Sequence, residues 1–259
     1  MPEGDTVFLT CHRLHEALAG RALVRGELRH PRLSTLDLTG RVVREVRPIG
    51  KHLLTRFECG WTLHSHLRMD GAWHLYSPRA RWRRPAHQVR ALLAVPERTA
   101  VGFNLHDLRW LRTGEEDELV GHLGPDLLSP DWDEAMRTEA VRRLRSDPER
   151  EIGLALLDQS VLAGLGNIYQ TEVCFLLRRS PWTPAGEVDA DRAVQLGREL
   201  LLRNAWRPEQ ATTGDPRREA KHWVYGRRTC LRCASAVLRD EQGAGTEERV
   251  AYHCPRCQP

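Results

Sequence analysis

The residues Met1-Pro2-Glu3 place a potential covalent nucleophile beside a carboxyl group. Methionine is readily removed when a small residue such as proline follows it, and the chain would then begin with the secondary amine of Pro2. An α-amino group has an ordinary pKa of about 8, against about 10.4 for lysine, so part of that amine is neutral and nucleophilic near pH 7. Many chains begin Met-Pro through processing alone, so the other motifs must decide between the two interpretations.

Two CxxC pairs near the far end have the spacing of a zinc site. Twenty residues separate the pairs, and this segment can fold as a hairpin around Gly243 and Gly245. The predicted ligands are Cys230, Cys233, Cys254 and Cys257. Four thiolates leave no open coordination position, so we expect one structural zinc ion and no organic cofactor. Such ribbons bind nucleic acid, bind protein or only stabilise a small domain, and all three alternatives stay open.

Two further motifs place polar groups at turns. Gly164 and Gly166 predict a tight turn, and Asn167 begins the following helix. Exposed N–H groups at a helix start can bind an anion, although simple helix packing explains the same pattern. Lys51 follows Gly50 at a turn that enters a strand, a position at which most lysines are only solvated.

Other exposed positions are compatible with nucleic-acid binding. Met69 lies at a predicted loop tip, as either a core filler or an apolar wedge between bases. The run Arg79–Arg84 interleaves one tryptophan with four arginines, as surfaces that track a phosphate backbone do. Arg249, on the second hairpin arm, is a solvated side chain or the functional residue of the ribbon. Four histidines without an evident carboxylate or thiolate partner are interpreted as structural: His12, His15, His64 and His66.

Charge and cysteine content narrow the class of protein. The segment Arg217–Pro259 carries nine Lys or Arg and five Asp or Glu, which accounts for the whole net charge of +4. A basic tail on a neutral body indicates either a polyanion partner or simple solvation. Three of the seven cysteines are isolated, which favours a metal site in a reducing compartment over a disulfide framework. With no long apolar run and no leader pattern, we expect a soluble, cytoplasmic protein with no membrane partner. We also expect a monomer.

The element pattern predicts a multi-domain α+β chain that is β-rich, then α-rich, then a zinc ribbon. A helix capped by Asp5 runs to Gly20. Strand-like runs at Arg41–Val46, His52–Phe57, Trp61–His66 and Ala91–Val95 indicate a sandwich or barrel. Helical patterns cover Trp132–Arg145, Ile152–Asp158, Ile168–Leu177 and Ala190–Asn204. The predicted boundaries are 1–113 for the β domain, 114–130 for a linker, 131–215 for the helical domain and 221–259 for the finger.

Read in order, six segments resemble the family of formamidopyrimidine-DNA glycosylase and endonuclease VIII. They are MPEGD, IGKHLL, HLRMDG, LLDQSVLAGLGNIYQTEV, VYGR and RVAYHCPRCQ, and they run from residue 1 to residue 258. The resemblance implies an N-terminal β-sandwich, a helix–two-turn–helix domain and a zinc-finger hairpin, with double-stranded DNA in the cleft between. Gly4, after Pro-Glu, is more similar to the endonuclease VIII branch, which favours oxidised pyrimidines.

The resemblance also implies roles for single residues. Pro2 would attack C1′ of the damaged nucleotide, Glu3 would shuttle protons, and Lys51 would contact phosphate and assist β-elimination. Arg249 would bind the flanking phosphates and completes the catalytic set. The DNA-binding set is Arg68, Met69, Arg109, His122 and Asn167. Among these, Met69 would fill the void left by the extruded base, and Asn167 would grip the backbone beside the lesion.

Some positions depart from the family pattern. Thr6 stands where many relatives have glutamate, which changes the hydrogen bonding near Pro2. Leu111 replaces a phenylalanine after Arg109, which affects recognition of the base opposite the lesion. His122 replaces a DNA-contacting arginine, and histidine carries less positive charge near pH 7.

We therefore expect a bifunctional DNA glycosylase and abasic-site lyase of base excision repair, associated with the nucleoid. The alternatives are an enzyme that prefers oxidised purines and a non-catalytic protein that binds damaged DNA.

Overall fold

The computed structural model describes residues 2–217, 219–243, 245 and 248–259. Met1, whose removal the sequence predicts, lies outside these ranges. The chain divides into two compact units, residues 1–122 and residues 123–259. Within the described ranges, no helix is both long enough and apolar enough to span a membrane.

The first unit begins with helix α1, Gly4–Leu18. Its N-cap is Glu3, whose extended backbone (φ −122°, ψ −171°) precedes the helix and whose carbonyl accepts the Val7 N–H at 3.0 Å. The expected cap at Asp5 is wrong, because the chain is already helical there. Asp5 lies in the first turn, where the helix dipole favours a negative charge. The predicted apolar stripe is confirmed as buried: Val7, Cys11, Leu14 and Leu18.

Two antiparallel sheets follow α1 in this unit. The strands are β1 Arg21–Ala22, β2 Arg25–Leu28, β3 Val42–Ile49, β4 His52–Phe57, β5 Trp61–His66, β6 Ala72–Tyr76, β7 Val89–Val95, β8 Arg98–Phe103 and β9 Asp107–Arg112. One sheet has the order β1-β3-β4-β5-β9 and the other the order β2-β7-β8-β6. Apolar residues from both sheets and from α1 share one buried core, which confirms a β-sandwich.

The stretch 114–130, predicted as a linker, contains local structure. A 3₁₀ turn at Thr113–Glu115 leads into helix α2, Asp117–Val120. Glu116 is buried between them because Arg56 and Thr62 of the sheet bind its carboxylate, at 2.6 Å in each case. The boundary between the two units falls inside this stretch, after His122.

Among its described residues, the second unit has four α-helices: α3 Glu134–Leu144, α4 Ile152–Leu157, α5 Asn167–Leu177 and α6 Ala190–Asn204. All four lie where the apolar periodicity predicts them. Asp133 and Asp189 cap α3 and α6 by accepting backbone N–H groups at 2.8 and 3.1 Å. Helix α5 ends at Arg178, which has a left-handed backbone with φ +57°.

The cysteine-rich segment forms the predicted hairpin. Strands β10, Leu238–Gln242, and β11, Arg249–His253, pair antiparallel from Leu238↔His253 to Gln242↔Arg249. Gly243 and Gly245 both have positive φ, +83° and +59°, in the connection between the strands. A β-sandwich, a helical domain and a cysteine-bearing hairpin together confirm the predicted fold class.

Candidate functional site

Pro2 and Glu3 lie at the entrance of α1. Pro2 is half-buried, and Glu3 is completely buried at the first position before the helix. Helix α1 packs against β3 and also contacts β4, β6 and β8. The residues that would carry covalent chemistry are therefore attached to a rigid element anchored in the core, which favours pre-organised geometry.

Lys51 occupies the tight turn between β3 and β4. The pair Ile49↔His52 closes this turn, and Gly50 supplies a positive φ of +55°. Lys51 is half-buried and leads directly into β4, as the sequence predicts. The turn thus fixes the lysine backbone at one end of the five-stranded sheet.

Three histidines form a cluster on the sheet beside Lys51. The strand register places His52 opposite His66, and His66 opposite Asp107. His52 Nδ1 lies 2.9 Å from His64 Nε2, and the rings of His52 and His66 meet edge to face at 5.1 Å. We call His52, His64 and His66 the histidine cluster.

The histidine cluster is uncharged at neutral pH. Burial, followed by the neighbouring histidines, lowers the pKa of His52 to about 3. Burial likewise lowers the pKa values of His64 and His66 to about 4. His66 Nδ1 accepts the backbone N–H of Arg68 at 2.9 Å, so neutral His66 carries its proton on Nε2. The cluster can therefore donate hydrogen bonds beside Lys51 without adding positive charge.

The histidine cluster was not predicted from the sequence, because no carboxylate partner for His66 is evident there. Asp107 lies directly opposite, but it is contributed by β9, and that long-range register cannot be read from spacing alone. Burial opposes ionisation of Asp107, yet the hydrogen bond from Arg68 and the nearby positive charges lower its pKa. One signal was available, since the alternation of His64 and His66 places them on one face of a strand.

Arg68 and Met69 lie in a tight loop between β5 and β6. Arg68 has a positive φ of +51°, and its guanidinium binds Asp107 at 2.8 Å. The Gly71 N–H closes the loop on the Leu67 carbonyl at 2.8 Å. Met69 is 71% exposed, so it is not a core filler and is presented at the loop tip.

The remaining candidates of the first unit flank the same sheet. Arg109 is exposed on β9, with its Nε 3.7 Å from Asp107 Oδ1. Leu111 shares the face of Arg109 and is half-buried. His122 is exposed, and its charge contributes to the low pKa of His52, after burial and the other two histidines. The sheet end thus brings together basic side chains from Lys51, Arg68 and Arg109.

Asn167 begins α5 in the second unit. Gly164, with φ +108°, makes the predicted tight turn, and Gly166 is the N-cap. The Asn167 side chain is almost fully buried, and its Nδ2 donates to the Val250 carbonyl of the hairpin at 2.9 Å. Its Oδ1 has no hydrogen-bond partner within the part of the chain that the structure describes. Asn167 therefore joins the start of α5 to the hairpin strand that carries Arg249.

Arg249 is the first residue of β11 and is exposed. Its Nη1 donates to the neighbouring Glu248 carbonyl at 2.6 Å. The guanidinium therefore lies at the solvent-facing start of the strand, where an anion can reach it.

The four predicted metal ligands converge. The sulfur atoms of Cys230, Cys233, Cys254 and Cys257 all lie within 4.8 Å of one another. Two of the separations, Cys233–Cys254 and Cys230–Cys257, are 3.4 and 4.0 Å. A tetrahedral zinc–thiolate site has sulfur–sulfur edges of about 3.8 Å, because Zn–S bonds are about 2.3 Å long. The cluster therefore fits a tetrahedral metal ion, and the aromatic ring of Phe175 packs against it.

Comparisons with known proteins extend over the whole chain. Family models described as the formamidopyrimidine-DNA glycosylase N-terminal domain and H2TH domain match residues 1–122 and 123–213. The chain is 54% identical to "Probable endonuclease 8 2" of Streptomyces coelicolor, covering 100% of this chain and 94% of that protein. It is 43% identical to "DNA-(apurinic or apyrimidinic site) lyase Nei2" of Mycolicibacterium smegmatis, covering 100% and 99%. A structure of Lactococcus lactis Fpg with DNA containing an abasic site has the same fold, with a TM-score of 0.81, 21% identity and complete coverage of both chains.

Proposed function

This chain belongs to the formamidopyrimidine-DNA glycosylase family, in its endonuclease VIII branch, and we propose that it is a bifunctional DNA glycosylase and abasic-site lyase of base excision repair. The observation that carries the proposal is the placement of Pro2 and Glu3 at the buried start of α1. The full-length relationship to a protein named as an abasic-site lyase supports it.

The glycosylase step uses the Pro2 amine once Met1 is removed. The Pro2 nitrogen forms a bond to C1′ of the damaged nucleotide, and the C1′–base bond breaks with its electron pair leaving on the base. The proton lost by the Pro2 nitrogen goes to the departing base, and Glu3 gives its own proton to the ring oxygen O4′ as the C1′–O4′ bond breaks. Loss of the ring oxygen from C1′ then leaves an iminium between Pro2 and the opened sugar.

The lyase step follows from the same iminium. Its positive charge acidifies the C2′ hydrogen, and removal of that proton expels the 3′ phosphate by β-elimination. The strand is nicked by this β-elimination alone or by β,δ-elimination, in which a second elimination also expels the 5′ phosphate, and water then hydrolyses the iminium to release Pro2. Lys51 assists these proton transfers and contacts a phosphate, since a lysine supplies a compact positive charge.

Both units contribute proposed DNA contacts. In the first unit these are Arg68, Met69 and Arg109, with His122 as a weaker contact. In the second unit, Asn167 and Arg249 bind phosphates. The neutral histidine cluster supports a phosphate contact at Lys51. Its N–H groups can donate to a phosphate, and because the histidines are uncharged they do not repel the Lys51 ammonium group.

The four cysteines are proposed to hold one structural zinc ion. Four thiolates fill a tetrahedral coordination sphere, so the ion stabilises the hairpin that carries Arg249 and takes no substrate. The convergence of the four sulfur atoms within 4.8 Å of one another supports this proposal.

Borohydride reduction in the presence of duplex DNA with an abasic site tests the covalent step. We expect a stable protein–DNA adduct that maps to residue 2 by mass spectrometry. A matched control with a short N-terminal extension keeps every side chain but blocks the amine, and it should give no adduct. Absence of the adduct from correctly processed protein would leave only a non-catalytic DNA-binding role.

Two lesion duplexes test the substrate branch. Relatives named endonuclease 8 and the Gly4 signature support a preference for oxidised pyrimidines. We expect faster incision of a duplex with thymine glycol than of one with 8-oxoguanine. The reverse order would assign the chain to purine lesions.

A further inference from the structure

Gln242, the last residue of β10, is only 2% exposed although both of its sequence neighbours are exposed. Its Nε2 donates to the Glu151 carboxylate at 2.8 Å and to the Pro181 carbonyl at 2.8 Å. A glutamine amide has two N–H donors, so both are used. The turn end of the hairpin is therefore fastened to the start of α4 and to the segment after α5.

The space occupied by the Gln242 amide exists because residue 153 is a glycine. Gly153 lies in the first turn of α4, and a Cβ there would stand 2.9 Å from Gln242 Nε2 and 2.8 Å from Gln170 Nε2. It would be closer still to Gln242 Oε1. Such separations are too short for a real Cβ, so the absence of a side chain at residue 153 makes room for Gln242.

The two ends of the hairpin have different anchors. At the knuckle end, the four cysteines converge, and Gln258 Nε2 donates to the Arg179 carbonyl at 2.8 Å. Gln242 lies at the opposite end, in the last of the five strand pairs. At about 3.4 Å per residue, that end is roughly 15 Å from the knuckles, so a metal ion alone leaves it free to pivot.

Arg249 lies directly opposite Gln242 in the strand ladder. Opposed Cα atoms in such a ladder are about 4.5–5.5 Å apart. The next carbonyl, that of Val250, is held by Asn167 at 2.9 Å. The Arg249 backbone is thus fixed from both sides, whereas its side chain is exposed to an incoming anion.

We propose that Gln242 is a positioning residue for Arg249: its amide holds the hairpin against α4 and so sets where the arginine meets a DNA phosphate. The inference rests on the proposed function, since it assumes that Arg249 binds DNA. An anchored backbone reduces the entropy lost when the arginine is ordered on binding.

The variant Gln242→Glu, measured at pH 8, tests this role, because an ionised carboxylate keeps the side-chain length but cannot donate to Glu151 or Pro181. Binding to a duplex with a stable abasic-site analogue is measured by fluorescence anisotropy over a series of salt concentrations. We expect roughly tenfold weaker binding and a log–log salt slope that falls by up to about one phosphate contact, as for Arg249→Ala. In the Arg249→Ala background, Gln242→Glu should cause no further loss.

Two more variants separate positioning from misfolding. Adding Glu151→Gln to Gln242→Glu exchanges donor and acceptor, so one hydrogen bond returns and most of the lost affinity should be recovered. Gly153→Ala displaces the amide without changing Gln242 and should reproduce the loss. One zinc per chain and unchanged circular dichroism confirm that each variant is folded.

Two outcomes would overturn the inference. They are unchanged binding by Gln242→Glu, and an equal loss whether or not Arg249 is present, which would show independent action. Borohydride trapping on the unmodified protein separately tests the proposed function. If DNA binding depends on Arg249 and Gln242 as expected but no borohydride adduct forms, the catalytic proposal is wrong and the positioning role of Gln242 still holds.

Discussion

The two regions with candidate chemistry have different kinds of support. Pro2, Glu3 and Lys51 are attached to a helix and a hairpin that share a large apolar core. Arg249 lies on a hairpin whose own apolar cluster is small and whose anchors are four cysteines and a few side-chain amides. Stabilisation by apolar burial is spread over many residues. In contrast, one substitution of a metal ligand or of a hydrogen-bonding side chain removes a large part of what holds the hairpin in place. Perturbations should therefore separate the two regions.

Loss of a metal ligand should have the largest effect. In Cys233→Ser, three thiolates remain, and we expect stoichiometric zinc to be lost and the hairpin to become disordered. Hydrogen exchange should accelerate in β10 and β11 while β4 and β5 stay protected. Metal analysis that finds one zinc per chain would refute the four-cysteine site.

Truncating a core side chain of the first unit should destabilise that unit and leave the hairpin unchanged. Leu63→Ala removes a side chain that is only 1% exposed in the sandwich core and should lower the free energy of unfolding of the first unit by about 2–5 kcal/mol. Zinc content should not change. Leu238→Ala, at an exposed leucine of the hairpin, is the matched control and should stay within about 0.5 kcal/mol. Loss of zinc from Leu63→Ala would contradict the expectation that the sandwich core and the hairpin are stabilised independently.

Acidification should weaken the first unit through the histidine cluster. Its pKa values are about 3 to 4 in the folded protein and near the ordinary 6.5 when unfolded, so below pH 6.5 the unfolded state binds more protons. The contribution of the neutral histidines to the free energy of unfolding is therefore fully present above pH 6.5. It falls as the pH drops towards 4, by at most about 1.4 kcal/mol per pH unit for each histidine. Hydrogen exchange in β5 between pH 7 and pH 5 measures this loss.

A matched pair of variants assigns the pH effect to the cluster. His64→Leu should flatten the dependence, whereas His87→Ala, at an exposed histidine outside the cluster, should not change it. Parallel pH profiles for both variants would exclude the cluster as the source.

A backbone substitution should have the smallest effect. Arg178 ends α5 with a left-handed backbone at φ +57°, a conformation that costs a non-glycine residue roughly 1 kcal/mol. Arg178→Gly should therefore stabilise the helical part of the second unit by about 0.5–1 kcal/mol, measured by thermal unfolding of the zinc-loaded protein. A lower melting temperature would show that the arginine side chain contributes more than the strained backbone costs.

Local signals in the sequence predict most of the fold. Strand-like runs bounded by glycine predict β4 and β5 at their observed bounds, and the apolar period predicts α6 from Ala190 to Asn204. The cap of α1 was misplaced from Glu3 to Asp5, because glutamate has a weak capping preference while aspartate is a frequent cap. Local propensity fails there because the burial of Glu3 is set by the tertiary structure.

The candidate site was less predictable where its contacts are distant in sequence. The turn position of Lys51, the loop tip at Met69 and the cysteine cluster follow from nearby residues. The neighbour relation of His66 and Asp107 depends on strand register, and the anchor from Gln242 to Glu151 spans 91 residues. Neither pairing leaves a periodic signature, so a three-dimensional structure is needed to find it.

The bare backbone at Gly153 has a consequence for protein engineering. Alanine is about 1 kcal/mol more favourable than glycine inside a helix, so a stabilisation library guided by helix propensity would select that replacement. Here the added methyl group would occupy the space of the Gln242 amide. Because that displacement breaks two buried hydrogen bonds, a screen for heat resistance and a screen for repair activity should both retain glycine at this position, against the choice that helix propensity makes.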